Sequence, residues 1–221
     1  MAGRSGQRIA GPESFRETFG VSRETLDRFA TYEALLKTWQ RTINLVAPST
    51  LDDVWHRHFA DSAQLVPLAP PDDKLWVDVG SGAGFPGLVA AIMLAEKGQC
   101  RVALVESDTR KAAFLGEVCR KTGVAVEIVG ARIEKIATQA KFGPIDVVSA
   151  RAVAPLDKLL GLVAPMFSSA TTGLFLKGRE AGAEIDEARK FRTFDCALTP
   201  SLTEPEGRIV AIRNLQVKTE G

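Results

Sequence analysis

Apolar residues recur at helical spacing near the start of the chain. They stand three or four positions apart, as on one face of a helix, and they are Leu26, Phe29, Tyr32, Leu36, Trp39 and Ile43. Ser22 precedes the run, and serine is a favoured N-cap because its hydroxyl accepts from free amides of the first helical turn. The pattern predicts a long amphipathic helix that begins after Ser22.

A second helical run follows the break at Pro48. It starts with Thr50 and Asp53, whose T-x-x-D spacing is typical of a helix start. Residues 13–70 are therefore predicted to form a small helical cap. The polar residues 1–12 that precede it are predicted to be a flexible arm.

Three prolines between positions 67 and 71 end the helical pattern, and from residue 71 short apolar runs alternate with helical ones. The predicted strands are residues 75–79, 102–105, 124–129, 145–149 and 174–176. The predicted helices are residues 87–97, 110–122, 156–166 and 183–191. Strands and helices alternating in this order predict a parallel sheet with right-handed crossovers.

The end of the chain has a different pattern. Apolar runs at residues 194–202 and 208–213 flank a turn at Pro205, Glu206 and Gly207, which predicts a β-hairpin. Five strands in βα order followed by a hairpin match the seven-stranded, mostly parallel mixed sheet of class I S-adenosylmethionine (SAM)-dependent methyltransferases. We therefore expect a Rossmann-like α/β domain over residues 71–221.

The amino-acid composition limits the binding partners and the cellular compartment expected for the protein. The 28 basic and 27 acidic side chains give a formal net charge of +1, so contact with nucleic acid requires a local basic patch. Three scattered cysteines without CxxC spacing favour a reducing compartment, and they predict neither a disulfide framework nor a metal site. The most apolar stretch, residues 85–95, is too short to cross a bilayer. We expect a cytoplasmic monomer without membrane attachment.

The most informative segment is LWVDVGSGAGFPG, an apolar strand that runs into Gly80, Gly82 and Gly84. Glycines allow a tight turn and close approach of a ligand. A dinucleotide-binding GxGxxG loop, counted from the first glycine after the strand, needs a glycine where Phe85 stands. Asp78 before GxGxG instead suits a ligand with an ammonium group, a sulfonium and no phosphate. We predict a SAM site in which Asp78 holds the ammonium group through water.

Two later strand ends extend this predicted site. Glu106 ends the second strand, where a carboxylate can accept from both hydroxyls of a ribose. After the third strand, the polar turn GARIE offers the backbone amide of Ile133 and the carboxylate of Glu134 beside the expected adenine. An ordinary helix start with an acid in its first turn has the same pattern, so both interpretations stay open here.

The segment after the fourth strand limits the kinds of acceptor atom that could be methylated. It reads SARAVAP and lacks the D/N-P-P-Y loop that methylation of exocyclic amines commonly uses. Methylation at pyrimidine C5 needs a thiolate, and no cysteine stands at a strand end facing this segment. A nucleophile without a proton, such as guanine N7, needs only alignment with the methyl group. No general base is then required, and both histidines, His56 and His58, lie in the predicted cap.

Four stretches of the chain resemble the bacterial RsmG (GidB) methyltransferase family. They are INLVA at residues 43–47, RHFADS at 57–62, VDVGSGAGFPGL at 77–88, and ARAVAPL at 150–156 with LKG at 176–178. The second departs from the more usual RH(I/L)LDS, which changes packing and no chemistry. The resemblance covers about residues 29–213.

This resemblance implies a reaction, a cofactor and a partner. The family uses SAM to make N7-methylguanosine in the 530 loop of 16S ribosomal RNA, at position 527, so the partner implied is 16S rRNA or the small ribosomal subunit. It implies SAM contacts from Gly80 and Phe85 and adenine contacts from Ile133 and Glu134. Arg151 would close the site over the methyl donor and is the best catalytic candidate.

Basic side chains follow several predicted strand ends, the rim at which open α/β sheets bind ligands. The residues expected to contact RNA are Arg110, Lys111, Arg132, Lys177 and Arg179, with His58 from the cap and Arg4 and Arg8 from the arm. His58 and Asp61, three residues apart, could instead tie the cap to the sheet. Since N7 of a paired guanine faces the deep, narrow major groove of A-form RNA, we expect an exposed loop guanine as the target.

Three other functions fit parts of this pattern. A SAM-dependent methyltransferase of small molecules or proteins would use the cap as a lid. An NAD(P)-dependent oxidoreductase is disfavoured by Phe85 and Asp78. A noncatalytic RNA-binding protein would keep SAM only as a structural ligand.

Overall fold

The computed structural model describes residues 8–71, 74–96, 98, 100–138 and 142–218. Its strands are β1 (Leu75–Val79), β2 (Arg101–Val105), β3 (Glu127–Val129), β4 (Val147–Arg151), β5 (Thr172–Lys177), β6 (Arg192–Pro200) and β7 (Arg208–Val217). They form one sheet in the order β3-β2-β1-β4-β5-β7-β6. Strands β1 to β5 are parallel, and β7 is antiparallel to both β5 and β6. The predicted seven-stranded mixed sheet with its terminal hairpin is confirmed.

Helices cover both faces of this sheet. They are α1 (Pro12–Phe19), α2 (Arg23–Trp39), α3 (Asp61–Ala63), α4 (Gly87–Leu94), α5 (Thr109–Thr122), α6 (Ile133–Thr138), α7 (Leu156–Val163) and α8 (Ala181–Phe191). Helices α4 and α5 share one apolar core with the cap, and α6, α7 and α8 belong to a second core on the other face. The strand order reverses between β1 and β4, and a crevice for ligands forms at such a switch point.

The first helix predicted in the cap is α2, and it matches its prediction closely. Ser22 is the N-cap, and its hydroxyl accepts from the backbone amide of Thr25 at 3.0 Å. The helix ends at Trp39, short of Ile43, because the Gln40 side chain then binds the following backbone. Its Oε1 accepts from the amides of Leu45 and Val46, each at 3.0 Å.

The second predicted cap helix is not continuous, which corrects the expectation. A 3₁₀ turn at Pro48–Asp53 is followed by a π-helical turn at Trp55–Ala60 and then by the single turn of α3. Thr50 caps no helix, because its hydroxyl donates to the carbonyl of Ala47 at 2.7 Å. The wider π turn has functional consequences for the side chains that it carries.

Part of the predicted arm packs against the cap. Ile9 is buried, its amide donates to Nδ1 of His56 at 3.2 Å, and Arg8 forms an ion pair with Asp53 at 3.0 Å. Residues 8–12 are thus attached, whereas Arg4 lies outside the described residues. His56 is a half-buried acceptor for this segment.

The cap is joined to the sheet domain through aromatic side chains. Phe29, Tyr32 and Phe59 have no solvent exposure, and Tyr32 contacts both Phe85 of the glycine loop and Phe114 of α5. This continuous core means that the cap supports the glycine loop directly.

Close packing explains one glycine of the loop particularly well. A Cβ atom on Gly87, the first residue of α4, would lie 2.3 Å from Cβ of Asp78 on β1. The helix can approach the strand this closely only because position 87 has no side chain.

We expect Gly87→Ala to lower the free energy of unfolding by about 3 kcal/mol. The new methyl group would overlap with Asp78 on the adjacent strand, and the core has no space to accommodate it. Gly116→Ala is the matched control, since position 116 lies within α5 and a Cβ there would have its nearest neighbour at 3.8 Å. It should stabilise the protein by about 0.5–1 kcal/mol through helix propensity. Urea unfolding of the two variants tests this, and equal midpoints would contradict the packing argument.

Candidate active site

The glycine loop between β1 and α4 turns sharply at the carboxyl edge of the sheet. Gly80, Gly82 and Gly84 all have positive φ angles, of 65°, 58° and 96°. The loop is tied to β2 by the Ser81 amide, which donates to the carbonyl of Val105 at 3.1 Å. Gly80 and Gly82 are half-exposed, and a Cβ on Gly82 would meet only the Gly80 carbonyl, at 3.8 Å. The loop therefore offers a backbone cradle that is open at Gly82 and bounded by Val153 at Gly80.

Glu106, at the end of β2, holds this cradle. Its Oε2 accepts from the Gly82 amide at 2.8 Å, and its Oε1 accepts from the Asp108 amide at 2.7 Å. The carboxylate lies beside the loop, as we expected for a ribose contact. The hydrogen bond that Glu106 accepts from Gly82 holds the loop in its conformation.

Asp78 lies beneath the loop and not on its open side. It has no exposed surface, its Oδ1 accepts from the hydroxyl of Ser149 at 2.6 Å, and that hydroxyl also accepts from the Trp76 indole at 2.8 Å. Its Oδ2 is buried without a hydrogen-bond partner among the described residues. This geometry does not support the expected contact with an ammonium group and assigns Asp78 to the support of the loop.

Phe85 is also turned away from the open cradle. It is 4% exposed and is stacked between aromatic rings of the cap. The Tyr32 ring lies 5.5 Å away at 15°, and the His58 ring 4.9 Å away at 18°. The Tyr32 hydroxyl donates to the Ala83 carbonyl, so the cap contacts the loop through both ring stacking and a hydrogen bond. Contact between the Phe85 side chain and SAM is not supported by this burial.

Arg151, the last residue of β4, meets the cap at the same place. Its guanidinium carbon lies 4.8 Å from the centre of the Phe85 ring. Nη1 donates to the Arg57 carbonyl and to Oδ2 of Asp61, both at 3.1 Å, and Nη2 donates to Nδ1 of His58 at 2.9 Å. Only 18% of the Arg151 side chain is exposed. All three acceptors come from one turn of the cap.

These contacts define the protonation state of His58. Because Nδ1 accepts from a guanidinium, the ring proton is on Nε2, which lies 2.8 Å from the Thr50 hydroxyl. Burial, followed by the charges of Arg151 and Arg57, lowers the pKa of His58 to about 3. The imidazole is therefore neutral at physiological pH.

His58 does not have the RNA-contacting position that we expected. It is 7% exposed, and both ring nitrogens are engaged. It does not pair with Asp61 either, since both side chains bind Arg151. The alternative interpretation, in which this segment ties the cap to the sheet, describes the geometry.

Asp61 extends the same network to the turn of the β6–β7 hairpin. Its Oδ1 accepts from the Thr203 hydroxyl at 2.7 Å, and the neighbouring Gln64 accepts from the Leu202 amide at 2.8 Å. On the surface, Arg57 and Glu204 form a further ion pair at 2.6 Å. Cap, β4 and hairpin are thus joined around one guanidinium.

A cleft of about 650 Å³ opens beside this network. Its walls are the cap segment near Thr50 and His58, the loop after β4, the end of β5 and the hairpin turn. Val153 lines the cleft, and its Cγ2 would lie 2.7 Å from a Cβ on Gly80. This residue therefore stands between the cleft and the glycine cradle.

Lys177 holds one wall of the cleft and is not a free cation. Its side chain is 9% exposed, and its Nζ donates to the Ala154 carbonyl at 2.7 Å and to Oε2 of Glu184 at 2.8 Å. Glu184 also accepts from the Leu156 amide at 2.6 Å. We expected Lys177 to contact RNA, and its burial instead gives it a structural role in the loop after β4.

The other predicted rim residues are accessible. The Arg110 and Arg179 side chains are 71% and 72% exposed, with ion pairs to Asp108 at 3.3 Å and to Glu180 at 3.7 Å. Arg132 is exposed and Lys111 half-exposed. All four follow carboxyl ends of strands, so they share the edge that carries the glycine loop.

Ile133 and Glu134 begin α6 at this edge. Ile133 is half-buried against the second core, and Glu134 is exposed. This agrees with both interpretations of the GARIE turn.

Sequence reasoning missed several residues of the site. Tyr32 was assigned only to an apolar helix face, and Ser149, Val153, Glu184 and Thr203 were given no role. Tyr32, Ser149 and Thr203 bind groups 51 to 142 residues away along the chain. Glu184 binds the Leu156 amide 28 residues away and Lys177 7 residues away. No local pattern identifies the long-range contacts. The positive φ of Ala152, 55°, likewise has no sequence signal.

The fold is that of class I methyltransferases. The structure is similar to a methyltransferase from Geobacter sulfurreducens, with a TM-score of 0.59, 18% identity and coverage of 88% of this chain and 91% of that one. It is also similar to a ribosomal protein L11 methylase from Lactobacillus delbrueckii subsp. bulgaricus, with a TM-score of 0.53, 15% identity and coverage of 72% and 77%.

Sequence comparison identifies the family. Residues 25–215 match GidB, described as rRNA small subunit methyltransferase G, and the chain belongs to this family. Relatives named "Ribosomal RNA small subunit methyltransferase G" are 50% identical in Parvibaculum lavamentivorans, covering 95% of this chain and 92% of the relative, and 51% identical in Rhodospirillum centenum, covering 96% of each. The protein is therefore a ribosomal RNA methyltransferase, and family and fold imply SAM as the methyl donor.

The described ranges contain no cluster of three or more His, Cys, Asp or Glu side chains that could hold a metal ion. None of their helices combines the length and apolar character that crossing a membrane requires.

The burial of Asp78 predicts a pH dependence of stability. Burial raises the pKa of Asp78 from 3.8 to about 6, although the hydrogen bond from Ser149 favours the charged form. Folding therefore favours the protonated acid, and this contribution is complete below pH 3.8 and is lost as the pH rises through 6. Relative to Asp78→Asn, the wild-type free energy of unfolding should fall by about 2–3 kcal/mol between pH 4 and pH 7.

Urea unfolding of both proteins across this range measures the effect. Titration of every other group, including His58, is common to the two proteins and cancels in the difference. A difference that stays constant with pH would show that Asp78 does not titrate in this window.

Proposed function

We propose that this enzyme transfers the methyl group of SAM to N7 of a guanosine in the 530 loop of 16S rRNA, at position 527, in the cytoplasm, and that it does so without a general base. The observation that carries the proposal is the cleft beside the glycine cradle. Its ionisable side chains are paired with one another or with backbone carbonyls, and Val153 contacts the cradle from the cleft wall.

The residues around the cradle fit a SAM molecule. Gly80 and Gly82 both have positive φ, and the open space at Gly82 lets a ligand approach the backbone there. Glu106 stands at the end of the neighbouring strand, where it would receive ribose hydroxyls, and Ile133 and Glu134 would lie on the adenine side. When bound, SAM supplies an electrophilic methyl group on a cationic sulfonium.

The cleft favours an acceptor that carries no proton on its nucleophilic atom. His58 holds its proton on Nε2 and gives its other lone pair to Arg151, so it cannot serve as a base. Asp61 and Glu184 are bound to Arg151 and Lys177. Guanine N7 is such an acceptor, and the task of the cleft is then alignment.

The exposed arginines suit an RNA partner. Arg110, Arg132 and Arg179 lie on the same edge as the cleft, where they would contact phosphates around a guanine displayed in a loop. With a net charge of +1 the protein has no strong nonspecific attraction to RNA, so recognition would depend on a folded RNA or ribonucleoprotein surface.

The test is transfer of radiolabelled methyl groups to small ribosomal subunits isolated from a strain that lacks this protein. We expect one labelled nucleoside, N7-methylguanosine, which maps to the 530 loop. Label in another nucleoside or position would overturn the base assignment. SAM binding without any transfer to RNA would favour a small-molecule or protein substrate.

The cradle predicts the effect of one substitution. Gly82→Asp should lower the affinity for SAM by about 100-fold or more, because its carboxyl group would fill the open space while leaving the fold intact. Gly143→Asp is the matched control, since Gly143 has a similar φ of 69° and open space at the opposite edge of the sheet. Isothermal titration with SAM should separate the two variants, and equal affinities would exclude this cradle as the binding site.

A further inference from the structure

One turn of the cap supplies every acceptor that holds Arg151. The Arg57 carbonyl, Nδ1 of His58 and Oδ2 of Asp61 take three of its five N–H donors. None of the other described residues accepts the remaining two, one on Nη2 and one on Nε, and Arg151 lines the cleft. The guanidinium is thus anchored on one side and has unused donors.

The π-helical geometry accounts for this convergence. In the π turn at Trp55–Ala60 the chain is wider than an α-helix, and the Asp61 amide bonds back to the carbonyls of His56 and His58. The Arg57 carbonyl is directed to Arg151. Single π turns often mark functional sites, because they redirect side chains and free backbone groups.

The hydrogen bonds through His58 run in one direction. Arg151 donates to Nδ1, Nε2–H donates to the Thr50 hydroxyl, and that hydroxyl donates to the Ala47 carbonyl at 2.7 Å. Each group therefore has one defined role. If the ring proton moved to Nδ1, two donors would face each other across 2.9 Å.

We infer that His58 is a positioning residue for Arg151, which it holds with its unused donors available to an acceptor oxygen of the target base, such as guanine O6. The inference rests on the proposed function. If His58 served only to pack against Phe85, any flat ring would be sufficient. The positioning role also requires a neutral hydrogen-bond acceptor at the position of Nδ1.

Two isosteric substitutions distinguish the contributions of the two ring nitrogens of His58. Asparagine places an acceptor oxygen near the position of Nδ1, and glutamine extends to the position of Nε2 without replacing Nδ1. We expect His58→Gln to lower kcat by about 10- to 100-fold, with unchanged KM for subunits and unchanged affinity for SAM. His58→Asn should recover kcat to within about 3-fold of wild type, since it still accepts from Arg151.

A double-mutant cycle with Arg151→Ala tests whether His58 acts through Arg151. In the Arg151→Ala background, His58→Gln should cause no further loss of kcat. If His58→Gln fails to fold, Thr50→Val, which leaves the ring in place and removes the acceptor of Nε2–H, should still lower kcat by about 3-fold or more. Melting temperatures of all variants provide the folding control.

Several outcomes would overturn this inference alone. They are additive effects of His58→Gln and Arg151→Ala, equal losses in the asparagine and glutamine variants, and a rise in KM for subunits with unchanged kcat. Failure of the unsubstituted protein to methylate subunits would instead overturn the proposed function and the inference with it, so the two failures are distinguishable.

Discussion

The structure depends most on the need to pair one half-buried guanidinium. Arg151 ends a central strand with 18% of its side chain exposed, and a charge so placed needs an opposite charge and hydrogen-bond acceptors on its buried side. Asp61 supplies the charge, and the same carboxylate receives Thr203 from the hairpin turn. Cap, sheet and hairpin are therefore coupled, because removing any of them leaves polar groups of the others without partners.

The glycine loop is held by contacts on two sides. From below, Trp76 and Ser149 fix Asp78 beneath the loop. From the cap, Tyr32 bonds to the Ala83 carbonyl and stacks on Phe85. Glycine alone would leave such a loop with many conformations, and these contacts restrict that number. Binding of a ligand then requires little further ordering of the backbone.

The sequence predicted what local patterns specify. Alternating apolar runs predicted the strands and the hairpin, because burial on a sheet imposes short apolar segments. The glycine loop and Glu106 do lie at the ends of β1 and β2, a location that follows directly from the strand pattern. The orientations of Asp78, Phe85 and Lys177 were not predictable, because a polar or aromatic side chain at a strand end can face either the open edge or the core. That choice is made by distant partners for Asp78 and Phe85, namely Ser149 and Tyr32, and by Glu184 on the following helix for Lys177.

Under the proposed function, the paired charges of the cleft place two tasks on different surfaces. These tasks are attraction of the RNA and alignment of the target base. Arg151 and Lys177 have internal partners, so they contribute little to attraction of a polyanion, and under the proposed function affinity for RNA would come from exposed side chains such as Arg110 and Arg179. The cleft would then act by aligning the target base with the methyl group. For an acceptor whose lone pair carries no proton, alignment is the main requirement, and a cleft whose charges are paired would meet it without a base.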